Sequence, residues 1–146
     1  MNKAILALLL AVASPAVLAQ VEVKDAWVRA TVPAAKASGL FLQLTSKQDA
    51  QLVEVRSSVA GMVEIHSMKM EGQMMKMQAV PSLDLPAGKP VNLASGGYHV
   101  MLMDLKQQLK EGQTVPVTLV IRKNGKTENV ALDVAVKPLS YNPAAR

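Results

Sequence analysis

Apolar and polar positions alternate with a period of two along much of the chain. The clearest case is Val130, Leu132, Val134 and Val136 on one side against Ala131, Asp133 and Ala135 on the other. That is the signature of a strand whose one face covers a core. Similar short runs, separated by turn residues, predict strands over 21–30, 39–45, 52–57, 62–68, 74–79, 91–93, 98–105, 115–122 and 128–136. No long stretch carries helical periodicity, so the fold class is all-β. The segment 105–110 could form a single helical turn.

The punctuation agrees. Asn124-Gly125 between two apolar runs tolerates the positive φ angles of a tight hairpin. Pro86-Ala87-Gly88, Ser95-Gly96-Gly97 and Glu111-Gly112 supply further turns. With no internal repeat and no linker, one two-layer antiparallel sandwich or Greek-key barrel is the economical architecture. It is expected to span 20–136. The segment 137–146, with two prolines and little apolar content, reads as a frayed, flexible tail.

Half of the 146 residues are apolar, enough for one core without staples. Some of that apolar content belongs to the N-terminus. Asn2 and Lys3 precede an apolar run at 4–12, and Ser14 and Pro15 break it before Val17-Leu18-Ala19. Residues 1–19 therefore read as a cleavable signal peptide. The run is far shorter than the roughly 20 residues that cross a bilayer, so no stable membrane insertion is expected after cleavage. The chain has no cysteine, so no lipid anchor, disulfide or thiolate metal site is expected.

Charge changes the picture little. The net +5 becomes +4 once Lys3 leaves with the signal, and the basic residues are scattered. Only Trp27, Phe41, Tyr98 and Tyr141 are aromatic. A basic stripe interleaved with stacking rings is missing, which argues against nucleic-acid binding. Trp27 is expected in the core.

Methionine is the anomaly. Apart from Met1, every methionine falls between Met62 and Met103, and the only two histidines, His66 and His99, lie in the same window. Thioethers and imidazoles without carboxylate or thiolate suit Cu(I) and poorly suit Zn(II), Ca(II) or Mg(II). His99 and Met101 are two apart on a strand and project from one face. His66, Met68 and Met70 obey the same rule, and a turn at Gly72 could return Met77 toward His66. Taken singly, Met62, Met70, Met74, Met75 and Met103 read as core or surface filler. No Ser-His-Asp set, paired carboxylates or third histidine suggests an enzyme.

His66, ten residues, Met77, twenty-one residues, His99, one residue, Met101 resembles the H(M)X10MX21HXM pattern of the periplasmic copper chaperone family PCu(A)C. So do Val63-Glu64-Ile65-His66-Ser67-Met68, Leu85-Pro86-Ala87-Gly88 and Gly96-Gly97-Tyr98-His99-Val100-Met101. The resemblance implies a cupredoxin-like β-sandwich holding one Cu(I) per chain through His66, Met77, His99 and Met101, with Met68 as an auxiliary sulfur. It implies a periplasmic chaperone, and a monomer is expected. The copper would go to a respiratory oxidase subunit or to a thioredoxin-like copper chaperone. A copper buffer without a dedicated acceptor is the alternative. The segment 137–146 lacks the His and Met that some relatives carry there, so a single site is expected.

Overall fold

The computed structural model describes residues 20–94 and 97–143. The signal peptide expected at 1–19 and two residues of the expected turn at 95–97 lie outside the described residues. Among the described residues ten strands follow one another: β1 Val21–Arg29, β2 Ala37–Ser46, β3 Ala50–Arg56, β4 Ala60–Glu71, β5 Met74–Val80, β6 Leu83–Leu85, β7 Val91–Leu93, β8 Tyr98–Leu105, β9 Thr114–Lys123 and β10 Lys126–Lys137.

The hydrogen-bonded path runs β5-β4-β8-β2-β1-β10-β9-β3-β6, with β7 also paired to β2. It is an open sheet that folds over one core. Strand β8 enters between β4 and β2, and β10 lies parallel to β1 while returning antiparallel to β9. These returns are Greek-key connections, and the fold is all-β and cupredoxin-like.

Alternation sets the core. Leu40, Leu42 and Leu44 of β2, Val100 and Leu102 of β8, and Ile65 of β4 pack in one cluster with Leu52 and Val55 of β3, Leu119 and Ile121 of β9, and Val134 and Val136 of β10. At roughly 25 cal/mol per Å² of apolar surface, burial of these side chains is the main stabilising term. The β9–β10 hairpin turns as expected, with Asn124 at φ 50° and Gly125 at φ 75°. Gly72, at φ 62°, starts the β4–β5 turn.

One expectation needs correction. Residues 106–110 form no helix; the loop bonds outward to the β1–β2 connection instead. Thr31 N–H donates to the Leu109 carbonyl (2.8 Å), Leu109 N–H to Thr31 Oγ1 (2.9 Å), and Gln108 Nε2 to the Thr31 carbonyl (3.0 Å). Leu109, fully buried, pins the loop. Trp27 is buried as expected, beside the central cluster. It stacks at 4.6 Å from Phe41 and 4.9 Å from Tyr141 on the opposite side of the sheet, so residue 141 packs against β1.

Candidate metal centre

The sheet face that does not cover the core carries the chemistry. Ile65, Val100 and Leu102 point into the core, so their neighbours His66, His99 and Met101 project from the other side of β4 and β8. His66 stands directly opposite His99. Their ring centroids are 5.8 Å apart at 72°. Next along β4, Met68 stands opposite Met77 of β5. Met101 lies between Glu64 of β4 and Gly39 of β2. Three antiparallel registers thus bring the five sequence-selected residues onto one face.

Met68, Met77, His99 and Met101 line an open cleft of about 310 Å³, closed on the β1–β2 side by Phe41 and Arg29. His66 is beside this cleft, not in its lining. Both histidines are buried, at 9% and 6% exposure, while Met77 is 51% exposed. The imidazoles are therefore held by the fold, and the Met77 thioether sits at the solvent side.

Hydrogen bonding fixes which nitrogen of each ring is free. Glu64 Oε2 lies 2.7 Å from His66 Nε2. An ionised carboxylate only accepts, so the proton sits on Nε2 and the neutral ring keeps its lone pair on Nδ1. That Nδ1 is buried and has no hydrogen-bond partner among the described residues. His99 Nδ1 is 3.3 Å from the Gly97 carbonyl; a carbonyl also only accepts, which leaves the lone pair of His99 on Nε2. A buried nitrogen without a partner costs about 1–3 kcal/mol unless something occupies it.

The donor set is soft. Among the described residues no three His, Cys, Asp or Glu side chains converge as a metal site, so any ion here must draw on thioethers. Arg29 adds a fixed positive charge at the cleft, its guanidinium 5.2 Å from the Trp27 ring and 5.6 Å from the Phe41 ring. Beside such a charge a monovalent ion meets half the repulsion that a divalent one would.

Sequence reasoning missed Glu64, Arg29, Phe41 and Gly39. Glu64 had a signal, a carboxylate two residues from His66 on the same strand face. Phe41 and Gly39 had none, because their role depends on the β2–β8 register. A Cβ built on Gly39 would lie 2.6 Å from Phe41 Cζ, so glycine lets the ring lie flat over β2 beside Met101.

The fold and this face together define a cupredoxin-like sandwich with a His–Met patch on the outer side of one sheet. The chain belongs to the family described as "Putative lipoprotein LpqE-like", whose model matches residues 21–135. The relative "Putative lipoprotein Lxx21020" of Leifsonia xyli subsp. xyli (strain CTCB07) is 35% identical over 115 residues, 78% of this chain and 69% of its own. Among solved structures, the apo PCuAC domain from PmoF1 has a TM-score of 0.66 at 26% identity, over 82% of this chain and 94% of that one. The Cu(I) form of DR1885 from Deinococcus radiodurans has a TM-score of 0.59 at 36% identity, over 77% and 75%. The resemblance to the PCu(A)C family read from the sequence therefore holds.

Proposed function

We propose that this protein is a copper chaperone that carries one Cu(I) through His66, Met77, His99 and Met101, with Met68 alongside. The observation that carries the reading is the buried Nδ1 of His66, without a hydrogen-bond partner among the described residues, on a face that also carries His99 and the thioethers of Met68, Met77 and Met101. Imidazole and thioether donors are neutral and soft, matching Cu(I). Glu64 bound to the far nitrogen of His66 is the outer partner that orients a ligating histidine. Copper is the cargo, and no bond of it is made or broken beyond ligand exchange.

The exposure of Met77 gives an acceptor an edge from which to displace donors one at a time. A neutral four-donor set holds the ion less tightly than thiolates do, so a cysteine-bearing acceptor takes it downhill. The acceptor we propose is the copper centre of a respiratory oxidase or an intermediate thioredoxin-like chaperone. The chain is exported by residues 1–19, works in the periplasm as a monomer through its 20–136 domain, and has no catalytic role. The test mixes Cu(I)-loaded protein with the soluble copper domain of an oxidase. Movement of the ion within minutes supports delivery. Retention of copper against a competent acceptor sinks delivery and leaves a buffer.

A further inference from the structure

The β4–β5 hairpin outruns the rest of its sheet. Pairing of β4 with β8 ends at Ser67 opposite Tyr98, whereas pairing with β5 continues to Glu71 opposite Met74. Beyond Met68 the hairpin is a two-stranded ribbon, a structure that gains little from its own apolar side chains. Yet Met70 is 59% and Met75 55% exposed. These side chains are neither core nor filler between packed elements.

The two faces of the ribbon differ in chemistry. Lys69, Glu71 and Lys76 share one face, with Lys76 Nζ 3.0 Å from Glu71 Oε2. The other face carries two rungs of thioethers and no charge: Met68 opposite Met77, then Met70 opposite Met75. Residues directly opposite in an antiparallel pair have Cβ atoms about 4.5–5.5 Å apart. Two flexible methionine side chains at that spacing can close on a single soft ion.

We propose that Met70 and Met75 form a second, weaker Cu(I) station made of thioethers alone, two residues along the strand from the Met68–Met77 rung. Successive same-face residues are about 6.8 Å apart, so an ion moves between rungs by exchanging one sulfur at a time. It keeps its single charge throughout, and no electron or proton is transferred. Without an imidazole or an anionic donor, this rung holds copper less tightly than the His–Met site and captures or releases it at the exposed tip. The assignment rests on the reading that this face carries Cu(I), and its test separates the two.

The secreted protein, with its methionine methyl groups labelled with 13C, is titrated anaerobically with Cu(I) and, in parallel, with Ag(I). The first equivalent should shift the Met77 and Met101 methyls and the His66 and His99 ring signals. The second should shift the Met70 and Met75 methyls. In the M70A/M75A variant the second event should vanish while the first keeps its affinity; both side chains are exposed, so the fold is retained. Silence of Met70 and Met75 while both histidines respond would overturn the rung alone, as would a second event that persists in the double variant. Response of Met70 and Met75 with both histidines silent would support the rung and contradict the primary site.

Discussion

Glu64 is the most informative single residue to change, because it touches the site without being able to serve a soft ion. Its carboxylate accepts from His66 Nε2 at 2.7 Å and so keeps the lone pair on Nδ1. In Glu64→Ala the ring loses both its tautomer preference and its orientation. Loss of such an outer partner typically costs 10–100-fold in metal affinity. The Glu64 side chain is 37% exposed, so water replaces part of the lost bond, and the lower end applies. About tenfold, or about 1.4 kcal/mol, is expected. Glu64→Gln keeps an acceptor oxygen without the charge and should fall between wild type and Ala. Competition with a chromogenic Cu(I) chelator under anaerobic conditions measures both. Equal Cu(I) affinity in wild type and Glu64→Ala would refute the orienting role, as would a Gln variant weaker than Ala.

Other consequences separate packing from binding. Met77→Ala should weaken Cu(I) binding and leave the chelator-free unfolding midpoint nearly unchanged, because Met77 is 51% exposed. Leu40→Ala, at a fully buried position, should cost about 2–5 kcal/mol in denaturant unfolding. Gly39→Ala forces Phe41 away from a contact of 2.6 Å; about 1–3 kcal/mol of destabilisation and weaker copper binding are expected together. Thr31→Val leaves the buried Leu109 N–H without its acceptor and should cost about 1–3 kcal/mol, read by urea unfolding.

The strands were legible wherever alternation was clean and turn chemistry marked the ends. Nine of the ten were expected, and the Asn124-Gly125 hairpin adopted the positive φ angles anticipated for it. Strand β6, Leu83–Leu85, escaped because three residues are too few to show a period, and only pairing to β3 defines it. The 105–110 segment misled because its local pattern suited a turn of helix while its hydrogen bonds go to Thr31, some 78 positions away. Trp27 is buried as expected, and the β1–β2 register sets it beside Phe41. The same limit applies at the site. The resemblance to the PCu(A)C motif selected His66, Met77, His99 and Met101, whereas the Glu64 contact, the Phe41 ring over Gly39 and the Met70–Met75 rung appear only once strands are paired.

The most direct test of copper carriage is an anaerobic competition titration of the protein with Cu(I) and Zn(II), repeated for His99→Ala and Met77→Ala. A soft His–Met site requires Cu(I) to bind the His–Met set first and Zn(II) much more weakly, with Cu(I) affinity falling in both variants. Preference for Zn(II), or Cu(I) affinity unchanged in both variants, would contradict it.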